Sequence, residues 1–121
     1  MNPAIEVLKN RRSVRAYKPD QIKDEELMEV LAAGMNAPTG GNRQTPIFIV
    51  VQNKEWIKKL CELNAKIAGA PEGHDVFYGA PTVILVLAKN EGTPVEDGSL
   101  AIGNMLNAAY ALGLGGCWIH R

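Results

Sequence analysis

Apolar residues along this chain fall either at helical spacing or in short unbroken runs, and polar stretches separate the two kinds of segment. "NPAIEVLKNR" opens as a helix: Asn2 can cap it, Pro3 suits its first position, and Ile5 and Leu8 share a face with Val7 beside them. "SVRAYKPDQI" reads as extended or irregular, broken by Pro19. "DEELMEVLAAGMNA" is a second helix, with Asp24 as its expected cap and Leu27, Val30 and Leu31 as its buried stripe; Gly34 and Asn36 are expected to loosen its end. After a loop at 38–46, "IFIVVQ" (47–52) is a continuous branched run, hence a buried strand. Asn53 can cap a third helix whose apolar positions are Trp56, Ile57, Leu60, Leu63 and Ile67. "APEGHDVFYGAP" is a second loop and "TVILVLA" (82–88) a second buried strand. "EGTPVEDG" reads as a turn region. "SLAIGNMLNAAYALGL" is a fourth helix, apolar almost all round and therefore expected to be central. "GGCWIHR" begins like a third strand. Helices interspersed with short strands make a mixed α and β chain, and periodicity alone does not choose its topology.

The 121 residues suit one domain, 1–121. A chain this short buries about two-thirds of its unfolded surface, so help from a partner or cofactor fits its size. Lysine plus arginine number 13 and aspartate plus glutamate 13, which argues against a nucleic-acid binder, since such a protein carries a basic excess. No leader pattern opens the chain and no apolar run approaches the roughly 20 residues of a membrane span, so the expected location is cytoplasmic, with no membrane partner. Cys61 and Cys117 match neither a redox pair nor a zinc pattern, and His74 and His120 have no neighbours at ligand spacing, so no metal is expected. The chain ends at Arg121, just after an apolar run that looks like a strand entry, and the expectation is that the natural chain continues.

Against this neutral background, Arg11, Arg12 and Arg15 form a dense positive cluster around Ser13. Guanidinium groups bind phosphate oxygens bidentately and a hydroxyl adds a donor. If the segment is extended, side chains 11, 13 and 15 point the same way and converge on one anion. Residue types alone leave a second reading open, a solvated basic turn at the negative end of a helix. In "APTGGNRQTP", Gly40 and Gly41 permit close approach of backbone to a flat ligand, while Thr39, Asn42 and Gln44 offer donors and acceptors; an ordinary surface loop has the same composition. "GLGGCWIH" lacks the dinucleotide-binding glycine spacing, and its glycines read as a helix end followed by a close-passing segment.

These three segments in this order, "RRSVRAY", "APTGGNRQ" and "DGSLAIGNMLNAAYALGLGGCWI", together with "FYGAPTVILVLAK", resemble the nitroreductase family of FMN-dependent oxidoreductases across essentially the whole chain. The resemblance implies an α+β fold: a mixed sheet flanked by helices in an intertwined homodimer with two shared FMN sites. It implies that Arg11, Arg12, Ser13 and Arg15 hold the FMN phosphate and the pyrimidine side of the flavin. Pro38, Thr39, Gly40 and Asn42, with Gln44 nearby, would reach the partner subunit's flavin. Trp118, Ile119 and His120 would lie against the ring, with Gly115 and Gly116 leading in, and Asn64 would contact its edge. Met105, Leu106, Ala109 and Leu112 could lie in the subunit interface; the centre of a monomer core is the alternative. Two departures from the family pattern stand out. The several dozen residues that follow "CWI" in relatives are missing, and "NRQTPIF" lacks the tryptophan many relatives carry there.

The implied activity is ping-pong transfer of hydride from NAD(P)H through FMN to an electron-poor small molecule such as a nitroaromatic or quinone. The flavin would do the chemistry and Arg11 or Arg15 would stabilise charge on its pyrimidine side. His120 could donate a proton, though no carboxylate adjoins it in sequence and packing is the simpler role. Two rivals stand beside this reading: a non-catalytic flavin-binding or ligand-sensing module on the same fold, and a small phosphate- or RNA-contacting domain, against which the neutral charge and the lack of an aromatic platform both count.

Overall fold

Each helix start follows from local chemistry. In the computed structural model, which describes residues 1–120, α1 (Pro3–Asn10) begins where the Asn2 side chain accepts from the backbone N–H of Ala4 and Ile5. α2 (Asp24–Met35) starts one residue earlier than Asp24 as a cap would require. Lys23 takes the cap position, its backbone N–H donates to Glu26 Oε1 at 3.1 Å, and Asp24 becomes the first helical residue. β1 (Ile47–Val51) leads directly to α3 (Lys54–Ala68), capped by Asn53 as expected and closed by Gly69 in the left-handed region at φ 69°. β2 (Val83–Leu87) precedes α4 (Pro94–Ala111). The turn expected at "EGTPVEDG" is in fact the start of α4. Thr93 is the cap and Pro94 the first helical residue, a position that loses nothing by lacking an N–H.

The architecture is α+β. β1 and β2 pair antiparallel in the register Ile47↔Leu87 through Val51↔Val83. The third strand expected from "GGCWIHR" does not form over the described residues 115–120, and Arg121 lies outside them. Gly116 O accepts from Val14 N–H at 3.0 Å, and Val14 lies in an irregular segment, so no ladder develops. The two strands are not buried on both faces either. Ile47, Ile49 and Leu87 stay exposed, while Phe48, Ile84 and Val86 pack inward.

α4 carries a narrower buried stripe than its composition suggested. Asp97, Ala101, Met105 and Ala109 are buried at spacing of four, and Val95, Leu100 and Tyr110 face outward. Met105 and Ala109, expected at a subunit interface, sit inside the chain's own core with Val30, Leu31 and Phe48. Gly34 does not loosen the end of α2. It is buried, and a Cβ there would come 2.8 Å from Met105 Cγ and 3.2 Å from Phe48 Cζ, so glycine is what lets α2 lie close to α4. Asn104 Nδ2 donates to Ala33 O across the same contact at 3.0 Å. A second cluster joins Ala65 of α3 to Val76 and Phe77, with Ile57, Leu60, Val83 and Ile119 packed on it. Trp56, Leu63 and Ile67, expected in one helical stripe with Ile57 and Leu60, lie exposed on α3.

Candidate functional site

The arginine segment lies beside the last described residues. The Val14–Gly116 backbone bond joins them, and Gly115 makes the approach possible: a Cβ there would stand 3.0 Å from Val14 Cγ1 and 3.2 Å from Tyr17 Cε1. Tyr17 braces the segment by donating its hydroxyl to Val14 O, three residues back. Burial pushes the Tyr17 hydroxyl's pKa up to about 12, with the nearby Cys117 thiol and Tyr78 adding to the rise and Arg15 opposing it.

Within this segment the half-buried residues are Arg11, Val14 and Tyr17, a spacing of three, while Arg12, Ser13, Arg15 and Ala16 are exposed. The alternation that would align side chains 11, 13 and 15 is therefore not kept; a repeat of three suits polyproline-like backbone better than a strand. Arg12 is partly committed to α1: its Nη1 donates to Lys9 O at 3.0 Å and Arg11 O at 2.9 Å, at the negative end of the helix. Arg11 differs. Its Nη1 is buried and has no hydrogen-bond partner. A buried guanidinium nitrogen left unpaired is costly and points to an acceptor that completes the site.

A cavity of about 750 Å³ is bounded by β2, α4, Tyr17 and residues 114–120. Asn64, Trp118, Ile119 and His120 line it. Asn64 Nδ2 donates to Leu60 O one turn back at 2.9 Å. The Trp118 and His120 rings are tilted by 47° with centroids 4.6 Å apart, and His120 sits at φ 59°. Ile119 packs into the α3 cluster.

The loop at 38–44 is elsewhere. It lines none of this cavity and lies at the start of α4, where Gly40 N–H donates to Asp97 Oδ1 at 2.9 Å. Pro38 is exposed; Thr39 is half-buried and its Oγ1 accepts from Gln44 N–H at 3.1 Å. Gln44 Nε2 donates to Asn42 Oδ1 at 2.7 Å. So the structure joins the arginine segment to Gly115 and Gly116 through Val14 and Tyr17, and gathers Asn64, Trp118, Ile119 and His120 around the cavity; neither Arg11, Arg12, Ser13 and Arg15 nor Pro38, Thr39, Gly40, Asn42 and Gln44 line it.

The profile of the nitroreductase family matches residues 8–121. The chain belongs to this family. An Archaeoglobus fulgidus protein, provisionally named NADH dehydrogenase/NAD(P)H nitroreductase, is 36% identical over 125 residues, covering 98% of this chain and 68% of that protein. A Bacillus subtilis protein named FMN reductase, NAD(P)H, is 38% identical over 138 residues, covering 95% and 53%. The crystal structure of a nitroreductase with bound FMN from Bacteroides fragilis superposes with a TM-score of 0.90 at 34% identity, covering 98% of this chain and 70% of that one. The chain therefore spans between about half and 70% of the length of these relatives.

Two residues that sequence reasoning did not assign hold the segments of this chain in place. Tyr17 lay within the quoted "RRSVRAY", but nothing in the pattern showed its hydroxyl turning back on Val14. Asp97 is 2% exposed, the one buried polar or charged residue among the described residues. An acidic residue in the first turn of a helix is ordinarily solvated and stabilised by the dipole, so the sequence carried no sign of its burial.

Proposed function

We propose that this chain forms an FMN site and acts as an NAD(P)H-dependent oxidoreductase on electron-poor small molecules such as nitroaromatics or quinones. The observation that carries the reading is Arg11: a half-buried guanidinium with an unpaired buried nitrogen, on a segment bonded to the glycine-led run that lines the cavity. A phosphate monoester supplies the acceptor that this nitrogen lacks, and a relative of 34% identity was solved with FMN bound. When bound, FMN supplies hydride transfer between the nicotinamide and the acceptor.

The chain's own residues bind and orient. Arg11 is the principal phosphate ligand, with Ser13 and Arg15 as exposed polar neighbours and Arg12 contributing what its helix-end bonds leave over. Trp118, Ile119 and Asn64 wall the cavity. Pro38, Thr39, Gly40, Asn42 and Gln44 serve the site of a second copy. The arrangement of α4 supports this, because the loop and the arginine segment lie at opposite ends of a helix of 18 residues, about 27 Å long at 1.5 Å per residue. Two copies acting together bring both segments to each site. Among the described residues no helix is long and apolar enough to cross a membrane.

The test is the visible absorption spectrum of the purified chain before and after adding FMN, followed by gel filtration. Flavin that stays with the protein supports the site, and NADH oxidation that rises with added quinone supports the activity. A colourless protein that releases all FMN on the column overturns the reading.

A further inference from the structure

The loop at 38–44 holds an unfavourable shape. Gly41, Asn42 and Gln44 all lie in the left-handed region, at φ 61°, 54° and 54°, and two of them carry side chains. Such backbone persists only where its surroundings fix it. The internal bonds of the loop run from Asn42 N–H to Thr39 O, from Arg43 N–H to Gly40 O and from Gln44 N–H to Thr39 Oγ1, and they close it on itself. Among the described residues, one hydrogen bond joins it to another part of the chain, Gly40 N–H to Asp97 Oδ1 at 2.9 Å. The same oxygen accepts from Thr93 Oγ1 at 3.0 Å. Gly40 also packs so closely on the Thr93 side chain that a Cβ would overlap it. Burying a carboxylate is expensive, and here two donors and the positive end of α4 offset the cost.

We propose that Asp97 is a positioning residue: its buried carboxylate fixes the loop in the one shape that presents Thr39, Asn42 and Gln44 to a ligand. That the ligand is a flavin rests on the function proposed above. A charged acceptor makes stronger bonds to both donors than an amide would. Asp97→Asn keeps an acceptor oxygen for Gly40; Asp97→Ala leaves both donors unpaired.

The test uses the full chain, wild type and both variants, and reads two quantities. The first is native-state trypsin cleavage after Arg43, taken relative to cleavage after Lys9 and Lys66. The second is the FMN dissociation constant from quenching of flavin fluorescence. Asp97→Ala is expected to raise relative cleavage after Arg43 about tenfold and to weaken FMN by a similar factor, with Asp97→Asn between it and wild type. A merely structural role would raise cleavage at all three sites together, and that result overturns the proposal. So does wild-type cleavage and FMN affinity in Asp97→Asn, which decides the matter alone if the alanine variant does not fold. A wild-type chain that ignores FMN overturns the flavin reading only, and the cleavage ratio still decides the anchor.

Discussion

The two ends of α4 present candidate ligand-binding segments by different means. At its C-terminal end the arginine segment is held by backbone and shape: the Val14–Gly116 bond, the missing side chain of Gly115 and the Tyr17 hydroxyl turned onto Val14. At its N-terminal end the loop at 38–44 is tied by a single hydrogen bond to one buried carboxylate, with Gly40 and Arg43 packed on Thr93 and Gly92. Backbone bonding and close packing survive most side-chain changes. A carboxylate anchor fails with a single substitution. The first end is therefore expected to be rigid and the second conditional on Asp97.

The broadest way to break the comparison is to loosen the helix that both ends share. Met105→Ala removes a buried side chain packed on α2, at a cost of about 2–5 kcal/mol. Chemical denaturation should show the loss, and trypsin should then reach both ends. Arg11→Ala sharpens the contrast instead. It should weaken FMN by about 1.5–3 kcal/mol, the worth of a charged hydrogen bond, while the unfolding midpoint of the flavin-free chain does not fall, because an unpaired buried nitrogen is removed. Arg12→Ala should do the reverse on a smaller scale, fraying α1, visible as lost helical circular dichroism, with FMN affinity nearly kept. Equal FMN losses in the two variants would remove the distinction between them.

Gly115→Val tests the close approach itself. Its side chain would meet Val14 and Tyr17, costing about 1–3 kcal/mol by overpacking and lowering FMN affinity, with trypsin cleavage after Arg43 unaffected. The smallest effect belongs to Tyr17→Phe, about 0.5–1.5 kcal/mol for one lost hydrogen bond. It should also flatten a pH dependence. The folded hydroxyl ionises at about 12 against 10.0 normally, so the folded state holds its proton where the unfolded state releases it. Its contribution is complete below pH 10 and is lost as pH rises from 10 towards 12. Denaturation midpoints across that window should fall in the wild type and fall less in Tyr17→Phe.

Much of the fold was legible because its determinants are local. Asn2 and Asn53 cap the helices they precede, and both apolar runs became strands within a residue of their expected ends. Errors arose where one residue type serves two local roles. The segment "EGTPVEDG" read as a turn, and its Pro94 is the first residue of α4; Gly34 read as loosening a helix end and is a packing contact. The apolar run at 117–119 has a strand's composition, but a strand also needs a ladder partner, which composition does not supply. The site was legible as residue types and order. It was not legible as geometry: the arginines do not alternate, Arg12 spends part of its side chain on α1, and the loop at 38–44 stands apart from the cavity.

The sequence by itself determined the caps at Asn2 and Asn53, the two short strands, the neutral charge with its one basic cluster, and the ordered set of segments that marks the nitroreductase family. These depend on backbone sterics and on hydrogen bonds spanning a few residues. Only the tertiary structure decided which polar groups meet. Asp97 finds Gly40 across 57 positions, and Val14 finds Gly116 from the other end of the chain. Such contacts exist only once α2, the strands and α4 have buried their apolar faces together, because that burial selects which distant segments lie side by side.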